Sequence, residues 1–209
     1  MSKKLIIFGA GGFSKSIIDS LNHKHYELIG FIDKYKSGYH QSYPILGNDI
    51  ADADIENKDN YYYFIGIGKP STRKHYLNII RKHNLRLINI IDKTAILSPN
   101  IILGDGIFIG KMCILNRDTR IHDAVVINTR SLIEHGNEIG CCSNISTNVV
   151  LNGDVSVGEE TFVGSCTVVN GQLKLGSKSI IGSGSVVIRN IPSNVVVAGT
   201  PTRLIRGNE

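Results

Sequence analysis

The chain has 209 residues, of which 42% are hydrophobic and 20% are charged, and its formal net charge is +5. This composition is ordinary for a globular protein, and because no run of about 18 apolar residues occurs, a membrane-spanning helix is not expected. The positive charge is modest and would attract small anions such as phosphates or acidic sugars. Since no basic run with interleaved aromatic residues occurs, nucleic acid is not expected as a partner.

The N-terminal segment, MSKKLIIFGAGG, has a basic start but only a short apolar run before its glycines. No small-residue cleavage site follows a proper apolar region, so we expect no signal peptide and a cytoplasmic location. The four cysteines, Cys113, Cys141, Cys142 and Cys166, show no CxxC spacing. We therefore expect reduced thiols and no metal site.

The first ninety-odd residues alternate strand and helix patterns. The strand patterns are KKLIIFG, ELIGFIDK, YYYFIGIG and RLINIID, and the helix patterns are AGGFSKSIIDSL and PSTRKHYLNIIRKHN. A polar, tyrosine-containing loop is predicted between the second and third strands. This alternation predicts a small Rossmann-like α/β domain with a parallel sheet over residues 1–94.

A glycine-rich loop, GAGGFS at residues 9–14, follows the first strand and opens the first helix. With Asp33 about twenty residues further on, it resembles a dinucleotide fingerprint in which Ser14 replaces the last glycine. Amides at the helix N-terminus would hold a phosphate or carboxylate. A nicotinamide dehydrogenase is disfavoured, because the domain is short and a repeat follows it. The candidate substrate contacts here are Gly9, Gly11, Gly12, Phe13, Ser14, Asp33 and Lys34.

A second loop, FIGIGKP, follows the third predicted strand and would face the same crevice. Gly68 and Lys69 are candidate substrate contacts in it, and Lys69 could meet an anionic sugar. Structural capping of the following helix is the alternative interpretation of this loop.

From residue 95 onward, every sixth residue is aliphatic. The sixteen positions are Leu97, Leu103, Ile109, Leu115, Ile121, Ile127, Ile133, Ile139, Ile145, Leu151, Val157, Val163, Val169, Leu175, Ile181 and Val187. The residue two before each is mostly small or β-branched. The residue one after is often Gly or Asn, which we expect to tolerate the backbone of a turn.

A period of six fits a short strand followed by a tight bend, which is the pattern of a β-helix. Three hexads would form one coil of a triangular prism with about five coils. The large aliphatic residues would point inward, and Cys113 would fill a small inward position. His122 directly follows inward Ile121, and we expect it to be structural or solvated.

The hexad pattern, the preceding strand–helix domain and the ending IPSNVVVAGTPTRLIRG resemble the hexapeptide-repeat acyltransferases with a left-handed β-helix. The whole chain resembles the NeuD-type sugar acyltransferases, which include sialic acid O-acetyltransferases and nucleotide-aminosugar N-acetyltransferases, and it looks closest to the former. The resemblance implies a left-handed β-helix over residues 95–209. It also implies a homotrimer with sites between neighbouring prisms, acetyl-CoA as co-substrate, and no metal.

The segment NTRSLIEH is similar to the family segment whose histidine is the general base, which assigns that role to His135 and a supporting role to Glu134. The resemblance also implies that the Gly153 amide polarises the thioester carbonyl. The remaining implied acetyl-CoA contacts are Gly164, Ser165, Ser183 and Gly184 for the pantetheine arm, and Arg203, with Arg206 as a second candidate, for a CoA phosphate.

Several positions differ from the nucleotide-aminosugar relatives. Those relatives usually carry an acid where this chain has Gly136, and tend to carry a second histidine where it has Asn144, which is kept as a candidate substrate contact. They often show a histidine in place of Phe13 and an acidic pair in place of Asp33–Lys34. These differences favour O-acetylation of sialic acid or a related capsule sugar.

Two alternative functions remain open at this stage. One is N-acetylation of a nucleotide-linked 4-amino sugar. The other is a non-catalytic role in which the chain stabilises partner enzymes of sialic acid biosynthesis.

Overall fold

A computed structural model describes residues 2–50 and 58–208. The chain divides into two compact units, Met1–Ile90 and Ile91–Glu209. The first is a small Rossmann-like α/β domain and the second is a parallel β-solenoid, which confirms the predicted fold class. Within the described ranges, no helix is long and apolar enough to cross a membrane.

The described residues of the first unit form six strands, two α-helices and one 3₁₀ helix. In chain order they are β1 (Lys3–Phe8), α1 (Gly12–Ser20), β2 (Tyr26–Ile32), β3 (Tyr39–His40), β4 (Tyr43–Gly47), the 3₁₀ helix Lys58–Asn60, β5 (Tyr62–Ile65), α2 (Pro70–Lys82) and β6 (Arg86–Leu87).

The sheet of the first unit has the strand order β3-β4-β2-β1-β5-β6. All neighbours are parallel except the β3–β4 pair. The apolar run Leu5–Phe8 in central β1 is fully buried, as expected for a parallel strand covered on both faces. Because the carboxyl ends of β1, β2 and β5 meet at one edge, the loops that follow them form a crevice there.

Two segments of this unit differ from the sequence prediction. The polar loop after β2 contains the short hairpin β3–β4, whose second strand pairs with β2. The predicted strand RLINIID is divided into β6 and a separate strand, β7 (Ile90–Ile91), which belongs to a sheet of the solenoid. Both differences concern strands of two to five residues, for which periodicity is a weak signal.

The solenoid is built from two-residue strands repeated every six residues. They are β8 (Ile96–Leu97), β9 (Ile102–Leu103), β10 (Phe108–Ile109), β11 (Ile114–Leu115), β12 (Arg120–Ile121), β13 (Val126–Ile127), β14 (Leu132–Ile133), β15 (Glu138–Ile139), β16 (Asn144–Ile145), β17 (Val150–Leu151), β18 (Ser156–Val157), β19 (Phe162–Val163), β20 (Val168–Val169), β21 (Lys174–Leu175), β22 (Ile180–Ile181) and β23 (Val186–Val187). Two longer strands, β24 (Val195–Ala198) and β25 (Arg203–Gly207), end the unit as an antiparallel pair.

Every third of these strands joins the same parallel sheet, so the solenoid has three faces. The sheets run β25-β24-β22-β19-β16-β13-β10-β7, β23-β20-β17-β14-β11-β8 and β21-β18-β15-β12-β9. Since the smallest sheet has five strands, five coils contribute to all three faces, as the hexad count predicted.

The aliphatic hexad positions form the core of the prism. Fourteen of the sixteen, Ile109 through Val187, are at most 2% exposed, and Leu97 and Leu103 of the first coil pack partly buried against them. Each fully buried aliphatic side chain contributes roughly 1.5–3 kcal/mol relative to leaving it in water. The stack is therefore the main source of the solenoid's stability.

The residue after each aliphatic position is predicted to tolerate the backbone of a turn, and this prediction is wrong for the glycines. Gly164 does not have a positive φ, but a Cβ on it would lie 2.5 Å from Ser183 N in the next coil. Glycine is needed there for the close approach of the next coil. The left-handed turn conformation falls two residues later, on residues such as Cys166 (φ 59°) and Arg130 (φ 60°).

Cys113 and His122 occupy the structural positions that the register predicts. Cys113 is buried, its Sγ lies 2.9 Å from the Asn128 carbonyl oxygen, and burial raises the pKa of its thiol to about 11. The His122 Nε2 lies 2.9 Å from Glu138 Oε1 in an exposed pair.

The burial of Cys113 leads to a prediction about thiol labelling. At pH 8 the Cys113 thiol stays protonated and inaccessible, whereas Cys166 is exposed. Brief treatment of the native protein with a maleimide should label Cys166 and leave Cys113 unmodified until the protein is denatured. Peptide mass spectrometry measures both, and equal labelling of the two in the native state would contradict the buried position.

Candidate active site

His135 lies at a corner of the prism between β14 and β15, with 65% of its side chain exposed. The next coil is tied to this corner by the Asp154 N–H, which donates to the His135 carbonyl oxygen at 2.9 Å. Because one coil contains eighteen residues, Gly153 lies directly beside His135. The corner therefore presents an imidazole without requiring it for core packing.

The His135 ring packs against the backbone of Gly153. A Cβ on Gly153 would lie 2.7 Å from both Cε1 and Nε2 of the ring, so only glycine leaves room for the imidazole in this position. The Gly153 N–H donates no hydrogen bond within residues 2–50 and 58–208. A possible base and an unpaired backbone donor thus lie side by side, which is the pair of groups that acyl transfer uses.

Glu134 lies near the ring but does not hydrogen-bond to it. Its Oε2 is 3.8 Å from His135 Nδ1, beyond hydrogen-bond distance, and accepts a hydrogen bond of 2.9 Å from Asn116 Nδ2. Its supporting role remains a prediction.

Gly136 adopts a φ of +68°, and a Cβ on it would overlap Oδ1 of Asp154 in the next coil. An acidic residue directly after the histidine would therefore require Asp154 to move. The structure thus gives a packing reason for the glycine, independent of the identity of the acceptor.

Asn144 lies in β16, on a different face from the two strands that flank His135. It is only 6% exposed, and its Nδ2 donates to Ser146 Oγ at 3.1 Å. The structure does not bring it to the His135 corner within one chain.

The residues proposed for the pantetheine arm lie on a second edge of the prism. Ser165 and Ser183 are eighteen residues apart, and the Gly184 N–H joins these coils by donating to the Ser165 carbonyl oxygen at 2.8 Å. Gly164 packs against the Ser183 N–H side of the next coil. Since this edge is two hexads away from the edge of His135 and Gly153, one prism does not place both sets on the same corner.

Arg203 and Arg206 lie in the exposed strand β25. Arg206 Nη1 donates to the Gly207 carbonyl oxygen at 2.9 Å. Both guanidinium groups remain candidates for a phosphate contact.

A cavity of about 430 Å³ lies within the first unit, at the carboxyl edge of its sheet. Seven of the predicted contacts line it: Gly9, Gly11, Gly12, Phe13, Asp33, Lys34 and Gly68. Ser14 and Lys69 do not line it: Ser14 is fully buried, and Lys69 lies at the N-cap of α2.

The glycine-rich loop is held by side chains from the segment after β2. Asp33 Oδ2 accepts from the Ala10 N–H at 2.8 Å, its Oδ1 accepts from the Tyr35 N–H at 3.0 Å, and Lys36 Nζ donates to the Ala10 carbonyl oxygen at 2.5 Å. Asp33 is thus engaged with the loop backbone while its side chain lines the cavity.

Ser14 contributes to the same loop from the inside. Its hydroxyl donates to the Gly11 carbonyl oxygen at 2.6 Å and lies 2.8 Å from His40 Nε2. Burial and the nearby Lys36 and Lys15 lower the pKa of His40. A neutral His40 therefore fits the contact with the buried hydroxyl.

Sequence reasoning missed several residues of this cavity. Tyr35, Thr72 and Tyr76 line it, and Arg73 shapes its wall by donating from Nη1 to the carbonyl oxygens of Ile67 and Gly68 at 2.7 and 2.9 Å. The buried face of α2 consists of Arg73, Leu77 and Ile80. Their i, i+4, i+7 spacing is a signal that could have identified the buried arginine.

Among the residues that the structure describes, no group of three or more His, Cys, Asp or Glu side chains is arranged to hold a metal ion.

Comparison with known proteins shows similarity in both units. Residues 4–80 match the family model of the PglD N-terminal domain. PerB from Caulobacter crescentus, solved with CoA and GDP-perosamine, is 28% identical with a TM-score of 0.89, and the match covers 97% of each chain. The acetyltransferase domain of PglB from Neisseria gonorrhoeae has the same fold, at 24% identity and a TM-score of 0.92, over 98% of this chain and 100% of that chain.

One curated relative is "Uncharacterized protein L142" of Acanthamoeba polyphaga mimivirus, 28% identical over 102 residues. The match covers 48% of this chain and only 20% of that protein. The chain therefore has an N-terminal domain similar to the PglD N-terminal domain and a parallel β-solenoid similar to that of PerB, and these similarities support acyltransferase activity.

Proposed function

We propose that the chain is an acetyl-CoA-dependent N-acetyltransferase that acts on a nucleotide-linked 4-amino sugar. The observation that carries the proposal is the imidazole of His135 packed against Gly153, whose N–H has no acceptor among the described residues. A cytoplasmic location is part of the proposal.

The geometry suggests a direct transfer. Neutral His135 removes a proton from the amino group of the sugar while the amino nitrogen attacks the thioester carbon of acetyl-CoA. The Gly153 N–H stabilises the negative charge that develops on the carbonyl oxygen. Collapse of the tetrahedral intermediate breaks the carbon–sulfur bond. The CoA thiolate then accepts the proton held by His135, which restores the neutral imidazole.

The acceptor differs from the principal expectation drawn from the sequence. O-acetylation of sialic acid is not supported, because the similar enzyme PerB was solved with CoA and GDP-perosamine, an amino sugar nucleotide. The cavity of the first unit supports a nucleotide as well. It combines an open glycine-rich loop at the start of α1 with Lys34, and helix N-terminal amides suit a phosphate.

A homotrimer would complete the site. The face formed by β8, β11, β14, β17, β20 and β23 lies between the His135 edge and the Ser165 edge. When three such faces pack around a threefold axis, the His135 edge of one chain lies beside the Ser165 edge of its neighbour. The outward residues of this face are all aliphatic: Ile96, Ile114, Leu132, Val150, Val168 and Val186. All six are exposed or half-buried, which supports the face as a subunit interface.

The acceptor can be tested by measuring CoA thiol release. Purified protein with acetyl-CoA should release thiol with GDP-perosamine or another nucleotide-linked 4-amino sugar, and should not with free or CMP-linked sialic acid. His135→Ala should reduce kcat by about 10²–10⁴-fold, because the general base is lost. Turnover with sialic acid alone would overturn the proposal in favour of O-acetylation. Absence of turnover with every acceptor would favour a non-catalytic role.

A second prediction concerns the contact between Gly153 and the ring. Gly153→Ala should displace the His135 imidazole and reduce kcat by about 10²-fold, since small misplacements of a catalytic group are costly. In a His135→Ala background the same substitution should have little further effect, because the two changes act through one contact. Additive losses in the double variant would show that Gly153 acts independently of the ring.

A third prediction concerns assembly. Val150→Glu places a charge in the centre of the aliphatic face and should convert a trimer to monomers with loss of activity, as measured by sedimentation and by thiol release. Ser156→Glu is the matched control, because Ser156 lies between Glu138 and Lys174 on another face. A wild-type protein that sediments as a monomer would contradict the shared site.

A further inference from the structure

Asn137 is an unusual residue at a repeated position. It lies two residues before inward Ile139, where the other coils carry small, hydroxyl or aliphatic side chains, and it is 1% exposed. Its carboxamide is larger and more polar than the core position requires. A specific role for the amide would explain its presence.

Five of the seven hydroxyl residues at this position share one hydrogen bond. Each of the five donates to the carbonyl oxygen fifteen residues further along, in the next coil. Examples are Ser131 to Ser146 at 2.8 Å, Ser143 to Gly158 at 2.6 Å, Thr161 to Gly176 at 2.6 Å and Thr167 to Gly182 at 3.2 Å. Asn137 makes the same bond, from Nδ2 to the Asn152 carbonyl oxygen at 3.0 Å.

Asn137 also contacts the carbonyl oxygen three residues before it, as Thr119 does at Asn116 (2.8 Å). The Asn137 Nδ2 lies 2.6 Å from the Glu134 carbonyl oxygen and 3.4 Å from the His135 carbonyl oxygen. The Glu134 carbonyl belongs to the peptide that leads into His135. One amide group thus holds the two backbone segments that carry the imidazole and Gly153.

The Asn152 carbonyl belongs to the same peptide unit as the Gly153 N–H. A hydrogen bond accepted by this oxygen fixes the plane of the peptide and polarises its N–H, which becomes a stronger donor. We propose that Asn137 is a positioning residue that orients the Gly153 N–H toward the thioester carbonyl and holds it at a set distance from His135. The inference rests on the proposed acetyl transfer.

The carbonyl oxygen of the Asn137 side chain also supports this role. Asn137 Oδ1 is buried and has no hydrogen-bond partner among the described residues. Burying an unpaired acceptor is unfavourable, and a Ser or Thr would form the shared bond without it. A hydroxyl has one hydrogen to share between two carbonyls, whereas the amide has two. The amide is therefore better explained by its contacts to both segments than by stability.

The test uses two isosteric variants. Asn137→Thr keeps a hydroxyl donor for the Asn152 carbonyl, and Asn137→Val removes it. Valine already occupies this kind of position at Val155 in the next coil. We expect kcat for Asn137→Val to be about tenfold below that for Asn137→Thr, with unchanged KM for acetyl-CoA and for the sugar, because the interaction strengthens in the transition state.

A spectroscopic measurement separates positioning from folding. Infrared difference spectra of acetyl-CoA labelled with ¹³C at the carbonyl should show a lowered stretching frequency on the wild-type protein and on Asn137→Thr. The frequency on Asn137→Val should lie closer to that of free acetyl-CoA. Thr161→Val removes an equivalent hydroxyl away from His135 and should change neither kcat nor the frequency.

Each outcome decides the inference. Equal kcat and equal carbonyl frequency in Asn137→Thr and Asn137→Val would overturn it, as would an effect on KM alone. A frequency that depends on residue 137 in a protein that does not acetylate amino sugars would uphold it and overturn only the proposed acceptor. Failure of the wild-type protein to bind acetyl-CoA would overturn both. If Asn137→Val does not fold, Asn137→Ser and Asn137→Ala provide the same comparison.

Discussion

The backbone hydrogen bonds between successive coils are the constraint on which the rest of the solenoid depends. They hold residues eighteen apart in register, as where the Asp154 N–H meets the His135 carbonyl and the Gln172 N–H meets the Gly153 carbonyl. Without this register the aliphatic residues would not stack into a continuous core. The same register places the imidazole of His135 on the backbone of Gly153, so the core and the proposed catalytic pair have a common geometric origin.

The sequence predicts the regular parts of the molecule well, because their periodicity follows from burial. The six-residue repeat identifies the inward residues from Ile109 to Val187, and the strand–helix alternation identifies the first unit. The repeat also shows that His135 lies outside the core. It does not show which turn residue has a positive φ, because the glycines of the repeat serve the close approach of coils while residues such as Arg130 adopt the left-handed conformation.

The interactions that the sequence does not predict depend on contacts between coils or between secondary-structure elements. Arg73 is buried because two loop carbonyls accept its hydrogen bonds, and Asn137 because three carbonyls surround its amide. Gly136 is a similar case. Its lack of a side chain has a local explanation in Asp154 of the next coil, so it does not indicate a different acceptor by itself.

The spacing of one coil between His135 and Gly153 limits how the sequence of the solenoid can change during evolution. Only two adjacent coils define this pair, and each coil contacts only its neighbours. Whole coils can therefore be gained or lost at either end of the stack without disturbing the pair. A single-residue insertion between positions 135 and 153 would shift the register and separate the two groups. The number of coils can thus vary, whereas the spacing between His135 and Gly153 cannot.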